Sequence, residues 1–356
     1  MTFISRGGLL KISVLILLLI VFSVGFWGCT PAEKPAAEPE TSPSGETVEE
    51  EEGKWPNKPV TIIVPLDAGG SVDMMCRGIA SHLGKYLGVP VAIENIGGGL
   101  SIPGITEFLK NRPDDGYTLL APWQTVLSSR YIFYDADYTL DDFAFLNAHQ
   151  NDPASVITSK DAPWDTLEEL IEDIRERPGE ISVGVMHASA GHVAILDLME
   201  MLGLEVRYVS YDSGSEFRLA VAGGHVDVGA GHAAGDHAIG HQLKMLAVYT
   251  EEPFELWPDV PPINEALKPL GLEVSANIGS VRMLATHKSF KEKYPERWDI
   301  LLEAYRNMLD DEGYKAYLEK TGEAPVTAWW GPEETMRINQ WMDESIKRYK
   351  DLIAGM

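Results

Sequence analysis

Two short stretches carry the residue types that could do chemistry. The first is Asp67-Ala68-Gly69-Gly70-Ser71, followed by Asp73. It lies between a β-branched run at residues 60–64 and an amphipathic segment at 72–87. At such a strand-to-helix junction the first helical N–H groups have no partner within the helix. They attract an anion, and the two glycines let it come close to the backbone. A carboxylate could sit there without any Arg or Lys. The same residues read equally well as an ordinary turn in which Ser71 or Asp73 serves the helix as a cap. The pattern G-x-x-x-x-G-K-[ST] is absent, so a nucleotide P-loop is not supported. The second stretch is Met186-His187-Ala188-Ser189-Ala190-Gly191, again between a strand and a helix. It approximates the nucleophile elbow G-x-S-x-G, with Asp227 or Asp236 and then His237 completing the order Ser, Asp, His. His187 stands where a small residue is needed, so hydrolysis by Ser189 is the minor reading. His225, His232, His237 and His241 invite a metal reading, and a spacing of four puts His237 and His241 on one helix face. There is no H-E-x-x-H pattern and no accompanying cysteine. A surface or core role is expected for these histidines, with no metal and no cofactor.

These stretches must be positioned by the elements around them. Short apolar runs at 60–64, 89–94, 117–121, 143–147, 155–158, 181–186, 206–209, 226–230 and 244–248 read as strands. Segments at 72–87, 105–111, 167–176, 193–202, 216–222, 294–310, 312–320 and 333–353 read as helices. Alternating β and α units imply an α/β fold with largely parallel sheets. No internal repeat is visible. The chain has 356 residues, 45% of them hydrophobic, enough for two such domains. It holds 54 acidic and 29 basic residues, a net charge of −25. Nucleic acid requires a basic footprint and is not an expected partner. An acidic surface can still carry a local anion site.

The N-terminus reads as an address. Arg6 and Lys11 precede an almost wholly apolar run at 12–28, a charged start followed by a hydrophobic segment. Phe26-Trp27-Gly28-Cys29 resembles the lipobox of bacterial lipoproteins, in which the cysteine is lipidated. Residues 1–28 are therefore expected to be a lipoprotein signal peptide, with an uncleaved anchor helix as the alternative. Either way the remainder lies outside the cytoplasmic membrane. Residues 29–54, rich in Pro, Glu, Ala, Ser and Thr, read as a disordered tether. Cys76, left without a disulfide partner, is expected to be a buried apolar side chain.

A family resemblance emerges from several motifs in order. Trp55-Pro56-Asn57-Lys58-Pro59-Val60 leads to Val64-Pro65-Leu66-Asp67-Ala68-Gly69-Gly70-Ser71-Val72-Asp73. Then come Gly88-Val89-Pro90-Val91, Pro113-Asp114-Asp115-Gly116-Tyr117, Gly223-Gly224-His225-Val226-Asp227 and Trp257-Pro258-Asp259-Val260-Pro261. Together they resemble the tripartite tricarboxylate transporter receptors, the Bug family of extracytoplasmic solute-binding proteins. The resemblance implies a periplasmic binding protein fold (type II-like), two α/β lobes with a ligand cleft between them. Lobe 1 would be 55–154 plus 281–356, and lobe 2 would be 155–280. It implies a monomeric receptor that delivers a small organic carboxylate to a membrane permease, without catalysis. A sensor that presents its ligand-bound form to a signalling partner is the alternative.

The resemblance also assigns cleft positions. Asp67, Ala68, Gly69, Gly70, Ser71 and Asp73 would form the first loop, and Asn95 with the following glycines the second. Ile96 and Ile102 stand where the family has Arg and Asn. Trp123 would wall the cleft or pack in the hinge, with Gln124 and Thr125 as hydrogen-bond donors. Ser189 and the Ala190 and Gly191 amides would hold a carboxylate from the other lobe, with His192 as a buttress. Tyr211 begins the next cleft loop, where Asp212 replaces the family's Lys. Gly231 replaces an Asp, which disfavours an amino-acid ligand and leaves His232 as a neutral donor.

Overall fold

The computed structural model describes residues 54–211 and 213–356. The expected signal peptide, the lipidation site Cys29, nearly all of the tether, and Asp212 lie outside the described residues. The strands are β1 (Val60–Val64), β2 (Val91–Asn95), β3 (Thr118–Leu120), β4 (Phe143–Ser159), β5 (Ser182–Met186), β6 (Arg207–Tyr211), β7 (Val228–His232), β8 (Leu243–Val248) and β9 (Gly279–His287). The helices run from α1 (Ser71–Leu87), α2 (Ile102–Thr106) and α3 (Gln124–Phe133) to α4 (Leu167–Glu176), α5 (Ala190–Leu202), α6 (Gly214–Ala222) and α7 (Ala233–His237). They continue with α8 (Ile263–Leu267), α9 (Lys288–Lys293), α10 (Pro295–Asp310), α11 (Glu312–Thr321), α12 (Gly331–Arg348) and α13 (Lys350–Ala354). Among the described residues no helix is long and apolar enough to cross a membrane.

The sheet order is β2-β1-β3-β9-β4-β7-β5-β6, with β8 also paired to β4. Within the first half β1 runs parallel to β2 and β3, and within the second β5 runs parallel to β6 and β7. The expected βα alternation holds in both halves. Between them, however, β4 and β9 run antiparallel, so the sheet is mixed. The two short strands expected at 143–147 and 155–158 are one continuous strand. Its first part, from Phe143 to Pro153, pairs with β9. From Ala154 to Thr158 it pairs with β7, and from Ser155 to Ser159 with β8.

Apolar burial forms several cores. Val60, Ile62 and Val64 of β1 pack against Met75, Cys76, Ile79 and Leu83 of α1, with Tyr305 and Tyr314 from the C-terminal helices. Val183 and Val185 of β5 pack with Val193 and Leu196 of α5. The chain's end crosses to this second core: Met342, Ile346, Tyr349 and Ile353 lie within it. The Tyr349 hydroxyl lies 2.6 Å from Asp197 Oδ1 and 2.5 Å from Glu200 Oε2, its one proton shared between the two carboxylates.

Cys76 is fully buried, and that burial pushes its thiol far above the ordinary range. In a Cys29→Ser chain the remaining thiol should therefore be silent to a thiol reagent under native conditions and react fully in denaturant. Rapid native labelling would show that the α1 face opens.

Candidate functional site

The loop between β1 and α1 presents Asp67, Ala68, Gly69, Gly70 and Ser71 to solvent. Gly69 has φ +88°, a conformation that a side chain would strain. Gly70 is the N-cap of α1 and offers no side-chain cap, so the first-turn amides stay available. Asp73 is placed differently from the expectation that it contacts ligand. It is 1% exposed and its carboxylate is already engaged. It accepts from the Gly69 N–H at 2.8 Å, Arg77 Nε at 2.9 Å and Asn95 Nδ2 at 3.0 Å. The Arg77 hydrogen bond leads in holding this carboxyl below the usual carboxylate range, against the opposing effect of burial. Asn95 also donates to Leu66 O at 3.3 Å. Asp73 and Asn95 thus set the shape of the loop from beneath.

The second loop explains its own glycines. A Cβ on Gly97 would lie 2.8 Å from the Asp67 backbone nitrogen, so the two loops touch only because this side chain is missing. Leu100 and Ser101 both have positive φ, +59° and +69°, and Leu100 is 48% exposed. Arg130 Nε donates to Leu100 O at 2.6 Å and so ties this strained turn to α3.

Trp123, at the N-terminus of α3, donates from Nε1 to Ser280 Oγ at 2.9 Å. It is anchored to β9 while its ring remains half-exposed. Gln124 is fully buried, and neither amide atom has a hydrogen-bond partner among the described residues.

In the second half, Ser189 caps α5: the His192 N–H donates to Ser189 Oγ at 3.2 Å. Ser189 is 2% exposed, and Ala190, Gly191 and His192 are buried behind it. His192 Nδ1 accepts from the Ala188 N–H at 3.3 Å, which fixes the ring under the loop as a buttress. Burial lowers its pKa to about 4. The Ser189 hydroxyl makes no hydrogen bond to a histidine ring. Asp227 is engaged by the Ser182 hydroxyl at 2.5 Å, and His237 packs edge-on against Trp257. The hydrolase constellation is therefore not assembled. No three His, Cys, Asp or Glu side chains gather as a metal site among the described residues.

Tyr211 is half-buried beside Gly184, and its backbone oxygen accepts from His187 N. His232 begins α7; its Nε2 is sealed from solvent without a partner, and burial lowers its pKa to about 3. Burial thus keeps the ring neutral at physiological pH.

The structure gathers Trp123, Thr125 and Ser189 around one open pocket of about 370 Å³. The Asp67–Ser71 loop, Asn95, Gln124, Tyr211 and His232 are not on its wall. Sequence reading missed several groups that are: Ser129, Arg130, Phe133, Tyr134, Met186 and His187. It also missed a buried polar cluster between the two halves. Asp152 accepts from the Ala234 and Gly235 amides at 2.8 and 3.2 Å. Asp236, 0% exposed, accepts from Ser155 at 2.6 Å and lies 3.8 Å from Arg218. Arg282 reaches Gln150 at 3.0 Å.

The tripartite tricarboxylate transporter family receptor model matches residues 75–356. The chain belongs to this receptor family. Its relatives include the UPF0065 protein in the gbd 5' region of Cupriavidus necator, 25% identical over 309 residues, covering 85% of this chain and 89% of that protein. A solute-binding protein of the family from Polaromonas superposes with a TM-score of 0.72 at 24% identity, over 83% of this chain and all of that one. MatC from Rhodopseudomonas palustris, solved with bound malate, gives a TM-score of 0.58 at 22% identity, over 84% of this chain and all of MatC. The receptor's fold is thus that of periplasmic binding proteins.

Proposed function

We propose that this receptor captures a small organic carboxylate in the cleft between lobe 1 (55–154 plus 281–356) and lobe 2 (155–280). It then hands the ligand to a membrane permease of the tripartite tricarboxylate type. The observation that carries this reading is the exposed glycine loop over the uncapped N-terminus of α1. Such a terminus binds an anion without a formal positive charge. The N-terminus of α5 behind Ser189 supplies donors from the other side, and closure around the ligand excludes water. The bound malate of MatC supports a carboxylate as the ligand class. The role is binding without catalysis, in a monomer tethered outside the cytoplasmic membrane through lipid on Cys29.

A melting-temperature screen against mono-, di- and tricarboxylates, aromatic acids and amino acids tests the reading. A ligand that binds only the folded state raises the melting temperature. A saturable shift with one class of acid is the expected result; a shift with none, in protein shown by mass spectrometry to be ligand-free, would sink it. Ser189→Ala should weaken binding of the acid found by roughly tenfold, from the loss of one hydrogen bond to a charged group. Because Ser189 also caps α5, it should cost about 1 kcal/mol of stability. A variant that loses stability but keeps full affinity would place the hydroxyl outside the site.

A further inference from the structure

Two acids lie buried where β4 passes from one half of the molecule to the other. Asp152 precedes Pro153 on β4, and Asp236 stands on α7; they are 7% and 0% exposed. The groups that face Asp236 are Asp152 and the Ser155 hydroxyl from β4, His232 from the end of β7, and Arg218 from α6. Arg282 of β9, with Glu323 beyond it, acts on Asp152. The two acids are served unequally. Asp152 accepts both amides at the start of α7. Asp236 Oδ2 accepts from Ser155 Oγ, but Oδ1 has no hydrogen-bond partner among the described residues. The nearest cation to Oδ1 is Arg218 at 3.8 Å, and that guanidinium is shared with Asp152. A fully buried carboxylate with so little compensation is costly to ionise. Burial leads in pushing the Asp236 carboxyl up to about 7, and Asp152 adds in the same sense, against Ser155 and Arg218.

This carboxyl lies directly behind the proposed anion site. A Cβ on Gly231 would overlap it, 2.8 Å from Asp236 Oδ1, so the carboxyl fills the space where a side chain at 231 would begin. The first turn of α5 rests on the same residue: a Cβ on Gly191 would lie 2.6 Å from Gly231 O. One residue of β7 therefore separates Asp236 from the turn that carries Ser189 and its neighbouring amides. The path between them is protein and not water, so a charge at one end is weakly screened at the other.

We propose that Asp236 couples ligand capture to proton uptake: the receptor binds its organic anion with Asp236 neutral and loses affinity as that carboxyl ionises. This rests on the carboxylate-receptor reading above and adds the regulation of that site. An ionised Asp236 sets a negative charge behind the α5 N-terminus and neutralises Arg218. Both effects lower the positive potential on which the bound anion depends. Affinity is full below the Asp236 midpoint and falls as pH rises through about 7. Linkage makes the effect reciprocal: a bound anion raises the proton affinity of Asp236 by the factor by which the proton raises affinity for the anion.

Titration calorimetry on the purified full chain tests the coupling. The probes are acetate, benzoate, malate and adipate, all ionised from about pH 6.5 to about pH 8.5, and the tightest binder is carried forward. Its affinity for wild type should fall by roughly fivefold or more across that range, an ordinary size for coupling between two sites. Near pH 7, titrations in HEPES and in Tris, whose ionisation enthalpies differ, should show net proton uptake on binding. Asp236→Asn should keep close to the low-pH affinity at every pH and take up no proton. His187 is the histidine on the pocket wall, and His187→Asn should retain both the pH ratio and the proton uptake. If Asp236→Asn does not fold, the wild-type and His187→Asn titrations decide. Flat affinity without proton uptake in wild type leaves the receptor reading standing and overturns the coupling. So does a pH dependence that survives Asp236→Asn or vanishes in His187→Asn. Failure of every acid to bind wild type at any pH overturns both.

Discussion

Acidification from about pH 6.5 to pH 5 is expected to strip stability at up to roughly 2.7 kcal/mol per pH unit. The cause is a set of histidines held neutral in the fold. Burial lowers the pKa of His149 to about 3, of His192 to about 4 and of His232 to about 3, from an ordinary 6.5. His149 illustrates the environment: its Nε2 meets the Tyr314 hydroxyl at 2.8 Å, its Nδ1 meets Tyr305, and the ring is 0% exposed. As pH falls below 6.5 the unfolded chain binds three protons at these rings that the folded chain refuses. His287 is lowered by burial as well, and three carboxyls raised by burial, Asp236 with Asp152 and Glu323, act in the opposite sense. Burial pushes the Asp236 carboxyl up to about 7, so folded Asp236 keeps a proton that the unfolded chain has released. Its contribution is therefore present at low pH and lost as pH rises through 7. Counted over the four groups with the largest shifts, three protons gained by the unfolded state against one kept by the folded state leave about two, which sets the upper slope.

Urea midpoints measured across this window give the slope directly. Asp236→Asn removes the largest of the opposing groups while keeping a partner for the Ser155 hydroxyl. The slope should then steepen to about three protons, roughly 4 kcal/mol per pH unit. Flat stability between pH 6.5 and 5 in the wild-type protein would mean that the rings protonate within the fold.

Gly191→Ala is the substitution with the largest expected effect on both stability and binding. A Cβ at this position would lie 2.6 Å from the Ala230 and Gly231 carbonyl oxygens. Both are backbone atoms of β7, which pairs with β4 and β5, so neither can yield cheaply. The helix must move instead, carrying the Ser189 hydroxyl and the first-turn amides out of register with the pocket. Overpacking of this kind costs about 1–3 kcal/mol, and the displaced donors should weaken acid binding by more than tenfold. Gly70→Ala is the matched control for stability. Its φ is −76°, and the nearest atom to an added Cβ is Asp67 O at 3.6 Å. Its urea midpoint should stay close to wild type. Equal midpoints for Gly191→Ala and wild type would show that α5 is not seated on β7 as described.

The parts of the fold legible in the sequence are those whose local preferences agree with their final surroundings. The β1 run Val60–Val64 is β-branched and buried, and the glycine loop after it follows from the junction it occupies. The middle of β4 was illegible for the opposite reason. Asn147, His149, Gln150, Asn151 and Asp152 are polar, and Pro153 follows them, so the stretch reads as a connection. In the structure all of these are buried, with distant groups taking up most of their polar atoms, although Gln150 Nε2 and Asn151 Oδ1 have no partner among the described residues. Asn147, for example, donates to Ala328 O at 2.8 Å and accepts from the Trp330 and Gly331 amides at 2.7 and 2.9 Å. Only tertiary partners make that segment a strand. The same blindness hid part of the site. Helix α3 carries Thr125, Val126, two serines and two aromatics, weak helix formers that pack against α12. With α3 unassigned, Arg130 had no reason to face anything. Asp73 shows the converse: its position in a motif was plain, but its burial under the loop was not.

The continuous β4, hydrogen-bonded to β9 and then to β7 and β8, determines what kind of machine the proposed closure can be. A jointed loop swings freely and stores nothing. A single strand that runs through both halves, ladder-bonded to β9 on one side of the crossing and to β7 and β8 on the other, would bend like a leaf spring, with twist taken up at the register shifts around Phe145, Asn147 and Gln150. The restoring torque is set by the stiffness of the sheet and not by the length of any connector. Under the proposed closure, ligand binding would work against that torque, and release would supply the recoil that reopens the two halves.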